Sequence, residues 1–190
     1  MKKIVFHHDY TILDASCVIN LYASGKMLEI LEVGPSRFAI ADYVRDREAL
    51  KIYTGPDDDV MRTKEAINLA PFIDNKLMIV ASPSCEDEFM DYVNFAYYLD
   101  DGEALTGAIA KYRNWGIGID ERKGISFFTN ETPQLQLVST PELIKHWVDA
   151  AGPSYDTIRT VLRNIRFRAR YYPGTEHTLY QWCETYRDFE

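Results

Sequence analysis

The chain has 190 residues, 46% of them apolar, and a formal net charge of −8. That length suits one sizeable domain with a short appendage, and the apolar fraction excludes a disordered chain. The acidic balance excludes a general phosphate-binding protein, but not a nuclease whose own acidic cluster lowers the charge.

No apolar run is long enough for a transmembrane helix, so no membrane partner is expected. Met1-Lys2-Lys3-Ile4 lacks the apolar stretch and small-residue cleavage site of a signal peptide. Cys17, Cys85 and Cys183 are far apart and show no zinc-ligand spacing, so reduced thiols in a cytoplasmic protein are expected. His7-His8 reads as a polar lead-in rather than a metal pair.

In chain order, YTILD (10–14) reads as a short buried strand ending on an acid. ASCVINLYASGKMLEILEV follows at helical spacing, with Gly25 dividing it in two. RFAIA (37–41) is a second strand, with Asp42 at its end and YVRDREALKIY as the next helix. Gly55-Pro56 marks a turn, and Asp57, Asp58 and Asp59 load the start of a helix through DVMRTKEAINLA. KLMIVAS (76–82) is strand-like, and SPSCEDEFMDYVNFAYYL is a helix with Ser84 as its cap. DDGEALTGAIAKYRNW is the next helix, with Asp100 and Glu103 spaced as the N-cap and N3 residues of a capping box. GIGID (116–120) is a strand ending on an acid, ERKGISFFT a short helix and LQLVS (135–139) the last strand. TPELIKHWVDAAG is a helix with Pro141 in its first turn and Gly152 beyond its end.

Short apolar strands alternating with helices imply a parallel sheet covered on both faces, a three-layer α/β/α sandwich over residues 1–152. In such sheets sites lie at the carboxyl ends of strands, where Asp14, Asp42 and Asp120 fall. Residues 153–190 form a helical extension packed on the same domain. Its first helix carries Ile158, Val161, Leu162 and Ile165 on one stripe. Arg159, Arg163, Arg166 and Arg170 fall on another, spaced i, i+4, i+7 and i+11. Such a stripe suits an RNA backbone or an acidic partner, and equally a solvated face paired with acids elsewhere. LYQWCETYRDF closes the chain as an aromatic helix.

Acids from four segments therefore converge on one sheet edge: Asp14, Glu48, Asp100 with Glu103, and Asp120 with Glu121. Carboxylates gathered so closely repel unless a cation joins them. Hard cations such as Mg²⁺ or Mn²⁺ take oxygen ligands, and a pair of them can activate water against a phosphodiester. Each acid also has a plainer reading, as an Asx turn, a helix cap or a solvated helix residue.

Over residues 10–150 the sequence resembles the PIN-domain family, which includes VapC-like toxin ribonucleases and related RNA-processing nucleases. The resemblance rests on ILDASCVINL, on DDGEALTGAIA and on GIGIDERKG, in that order on the expected elements. It implies a PIN-like sandwich and an endoribonuclease dependent on Mg²⁺ or Mn²⁺. It makes Asp14, Glu103 and Asp120 metal-binding and catalytic, Asp100 and Glu121 further metal neighbours, and Ser16 an orienting residue. Val44 is followed at the family's distance by Arg47 rather than an acid, leaving Asp46 and Glu48 on either side; Glu48 is assigned the role of ligand or water-orienting residue. Ile119 stands where the family has Thr or Ser.

The resemblance further implies an RNA substrate, an antitoxin partner and a homodimer. The alternative is a catalytically weak PIN-like module that binds RNA or protein. A phosphatase with Asp14 as nucleophile is disfavoured, because Ser16 occupies the place of its second Asp. A nucleotide-cofactor enzyme is disfavoured because neither G-x-x-x-x-G-K-[ST] nor G-x-G-x-x-G occurs.

Overall fold

A computed structural model describes residues 5–54 and 63–187. Residues 1–4 and the acidic turn with Asp57, Asp58 and Asp59 lie outside the described residues. The chain runs β1 (Tyr10–Leu13), α1 (Ala15–Ala23), α2 (Met27–Glu32) and β2 (Arg37–Ala41), then a π-helical turn (Val44–Glu48). It continues through β3 (Lys51–Tyr53), β4 (Lys64–Ala66), α3 (Ala70–Asp74), β5 (Met78–Ala81), α4 (Glu86–Ala96) and α5 (Asp101–Arg113). After these come β6 (Gly116–Gly118), α6 (Arg122–Glu131), β7 (Leu137–Val138) and α7 (Thr140–Ala151). The C-terminal part holds α8 (Tyr155–Asn164), a second π-helical turn (Ile165–Ala169) and α9 (Tyr180–Glu184).

Five strands form a parallel sheet in the order β5-β2-β1-β6-β7. Consecutive residues Thr11, Ile12 and Leu13 of β1 are all buried, as are Phe38 to Ala41 of β2. Side chains alternate across a strand, so burial of every residue means that both faces are covered. Helix α5 packs on β1, β2 and β6 with α4 beside it, while α1 meets β1, α2 and α7. This α/β arrangement is compatible with a three-layer sandwich. Ile158, Val161, Leu162 and Ile165 of the C-terminal segment are buried in the same hydrophobic cluster as β1 and β2. Among the described residues no helix is long and apolar enough to cross a membrane.

Several elements depart from expectation. The helix expected over 43–53 is a π-helical turn followed by β3; of DVMRTKEAINLA, residues 59–62 lie outside the described residues and the rest contributes β4 where a helix is expected. Strands β3 and β4 form an antiparallel pair, Lys51 opposite Ala66 and Tyr53 opposite Lys64, and this pairing overrides the helical propensity of both segments. Cys85, not Ser84, is the N-cap of α4; the Ser84 backbone N–H donates instead to Glu88 Oε2 at 2.6 Å. The even arginine stripe does not survive either. Helix α8 ends at Asn164, so Arg166 lies on the π-helical turn and Arg170 beyond it in a left-handed conformation (φ 57°). The closing aromatic helix is the short α9.

Candidate metal centre

The centre forms where β1 and β6 end side by side. Leu13 pairs with Gly118, and the Asp14 backbone N–H extends the ladder by donating to the Gly118 carbonyl at 2.9 Å. Asp14 then caps α1, its Oδ2 accepting the Ser16 backbone N–H (3.3 Å) and hydroxyl (2.9 Å). The Ser16 hydroxyl oxygen in turn accepts the Asp120 backbone N–H at 3.4 Å, so Ser16 ties the two strand ends together.

Helix α5 brings the next acids. Asp100 is its N-cap, and its Oδ1 accepts the Glu103 backbone N–H at 2.9 Å. The Glu103 side chain is 3% exposed, and its Oε1 is buried with no hydrogen-bond partner. An ionised carboxylate stripped of water and donors is costly, so this oxygen calls for a cation or a proton. One oxygen each of Asp100, Glu103 and Glu121 lie within 4.8 Å of one another, and Asp100 and Glu121 are exposed.

Two glycines make room for the carboxylates. A Cβ on Gly102 would stand 1.8 Å from Glu48 Oε2, and one on Gly124 would stand 2.6 Å from Glu103 Oε1. The first π-helical turn delivers Glu48 to this edge, where its Oε1 accepts the Gly102 backbone N–H at 3.1 Å. Asp46 is exposed and is paired with Arg45 through two bonds of 2.6 and 2.7 Å. Of the two acids flanking Arg47, Glu48 is therefore the one that joins the cluster.

The proton affinities follow the geometry. Burial, and then the charge of Asp100, push the Asp14 carboxyl up to about 6 against the bonds it accepts from Ser16 and Ala15. Burial raises Glu48 to about 7, with Asp100 and Asp14 adding to it. Burial raises Glu103 to about 8, reinforced by Asp100, Asp14 and Glu121 and eased by Lys123. Asp14, Glu48 and Glu103 are thus raised by burial and by neighbouring acids, among them Asp100 and Glu121.

Asp120 does not take part in that group. Its Oδ1 accepts the Thr140 backbone N–H (2.8 Å) and the Tyr171 hydroxyl (2.9 Å). Its Oδ2 accepts Asn20 Nδ2 (2.8 Å), Cys17 Sγ (3.3 Å) and the Thr140 hydroxyl. A carboxylate has about four lone-pair directions, and five donors use them up. Asp42 is held by Ser82 and by the Tyr43 backbone N–H, and Asp101 by the hydroxyls of Tyr43 and Tyr92. In the arginine stripe, Arg159 pairs with Asp156 at 3.5 Å. Arg163 and Arg166 lie over the Phe167 ring, and Arg170 stacks 4.2 Å from the Tyr53 ring centre.

Residue spacing carried no signal for Asn20, Thr140 and Tyr171, which reach Asp120 from three distant segments. Comparison of the chain with protein-family models, curated proteins and solved structures returns no match. The donor set is all oxygen, one of its residues, Glu103, carries a buried oxygen without a partner, and Arg122 and Lys123 follow it as exposed cations. It fits a hard divalent cation and is poorly suited to zinc or copper.

Proposed function

We propose that the chain is a divalent-metal-dependent ribonuclease of PIN-like architecture. The observation that carries this reading is the buried, unpartnered Oε1 of Glu103 inside a group of five acids. Asp100, Glu103 and Glu121 are the residues that would hold Mg²⁺ or Mn²⁺, with Asp14 near enough for its charge to act on Glu103. The chemistry such an ion supplies is activation of water towards a phosphodiester. Glu48, half-buried beside the cluster and held by the Gly102 backbone N–H, is suited to take a proton from a water there. Arg122 and Lys123, exposed at the rim, offer charge to an RNA phosphate that the acids would otherwise repel.

A second reading, a PIN-like module that binds RNA or protein with little catalysis, is favoured by the saturated hydrogen bonding of Asp120. Calorimetric titration with Mn²⁺ and cleavage of a mixed-sequence single-stranded RNA, run on wild type, Asp14→Asn and Glu103→Gln, separate the two. Binding and cleavage that both disappear in the variants are the expected result. Binding without cleavage in the wild type selects the second reading. A wild type that binds no Mn²⁺ overturns the metal centre.

A further inference from the structure

Asp120 and Glu121 are consecutive, yet their side chains serve different neighbourhoods. Asp120 is drawn inward by donors from α1 (Cys17, Asn20), α7 (Thr140) and the C-terminal segment (Tyr171). Glu121 is the N-cap of α6 in extended conformation (φ −78°, ψ 128°). The donors hold Asp120 on one side while Glu121, the next residue, brings an oxygen to within 4.8 Å of those of Asp100 and Glu103. The Asp120 backbone N–H is pinned as well, to the Ser16 hydroxyl that also holds Asp14.

We propose that Asp120 is the anchor of the centre rather than a ligand, and that Tyr171 is a positioning residue which, through Asp120, aims Glu121 at the Asp100–Glu103 pair. The proposal rests on the metal-centre reading, and it makes the C-terminal segment part of the site. The Tyr171 hydroxyl is half-buried and donates to a charged acceptor, the stronger kind of hydrogen bond. Its neighbour Tyr172 provides an internal control. That hydroxyl donates to Glu184 at 2.7 Å, within the C-terminal segment and away from the acids.

The experiment measures Mn²⁺ affinity by calorimetry and Tm without metal, on the full chain and on Glu121→Gln, Asp120→Asn, Tyr171→Phe, Tyr172→Phe and the double variant Asp120→Asn/Tyr171→Phe. Glu121→Gln is expected to weaken Mn²⁺ binding at least tenfold with little change in Tm. Tyr171→Phe is expected to weaken it about tenfold, the effect typical of losing a group that orients a ligand. Tyr172→Phe is expected to lower Tm by a comparable amount, about 5 °C, and leave Mn²⁺ affinity unchanged. Losses in Tm from Asp120→Asn and Tyr171→Phe should combine to less than their sum, because one hydrogen bond joins them.

If Tyr171→Phe binds Mn²⁺ like wild type, the positioning role is overturned while the metal centre stands. The positioning role also fails if folded Asp120→Asn loses binding and Glu121→Gln keeps it. Additive Tm losses overturn the anchor without reference to metal. A wild type that binds no Mn²⁺ overturns the assignment of Glu121 together with the reading it rests on.

Discussion

Two buried glutamates sit near opposite ends of α5. Glu88, on α4, is 1% exposed and faces the end of α5, where Arg113 grips it at 2.7 and 3.0 Å and the Ser84 backbone N–H donates to it at 2.6 Å. Glu103, in the first turn of α5, is similarly buried and has an oxygen with no donor. The Arg113 guanidinium holds the Glu88 carboxyl below its ordinary value, while burial and neighbouring acids lift that of Glu103 to about 8. Burial is common to both, so the difference lies in what the chain supplies. At one end it provides its own cation, and at the other it gathers further acids and, among the described residues, no cation bonds to Glu103.

The contrast predicts opposite responses to mutation. Arg113→Met should be the most damaging change, because it strands the buried Glu88 charge. A loss of about 3–5 kcal/mol is expected, read from urea unfolding. Glu103→Gln should do the reverse in metal-free protein, stabilising it at pH 8 by about 1–3 kcal/mol through relief of like-charge repulsion. A destabilised Glu103→Gln would mean that this carboxyl makes an ordinary structural bond.

The pH dependence should divide in the same way. The folded-state values of Asp14, Glu48 and Glu103 lie above their ordinary values of 3.8, 4.5 and 4.5. The folded protein therefore binds protons more tightly than the unfolded chain, and stability falls as pH rises from about 4 to about 8. Glu88 is depressed, so its contribution is present above 4.5 and fades as pH falls through its folded value. Metal-free protein should accordingly be most stable near pH 4, where the two windows meet, and Glu103→Gln should flatten the decline towards pH 8 in a series of thermal melts. The smallest effect concerns Gly102→Ala. Alanine improves helix propensity, but its Cβ displaces the Glu48 carboxylate, so net stability should change by less than about 1 kcal/mol. The Glu48 titration should move down from about 7 towards 4.5, visible by carbon-13 NMR of the carboxyl.

Much of the sheet and the start of α5 were legible from residue pattern. Short apolar runs such as YTIL and RFAIA, too short for a helix, suit buried strands, and the Asp100–Glu103 spacing marks the helix start. The β3–β4 pair was not legible. Its strands are three residues each, drawn from KIY and KEA inside segments rich in helix formers, and only their mutual pairing selects the extended state. The acids that the fold brings together stand in the sequence near strand ends and helix starts, but their separate surroundings were not legible there. Nothing local distinguishes Asp120 from Glu121; the distinction comes from Asn20, Thr140 and Tyr171, which only the folded chain brings together.

The strand order also has a consequence for how the protein is made. The first strand lies at the middle of the sheet, and its partner β6 is synthesised more than a hundred residues later. A nascent chain emerging from the ribosome thus carries Asp14 and Glu48 long before Asp100, Glu103 and Glu121 can join them. The last donor to Asp120 arrives only with residue 171. Domains fold as units during synthesis, and pairings this distant in the chain form late. The acidic cluster is therefore assembled only after most of the polypeptide has left the machine that builds it.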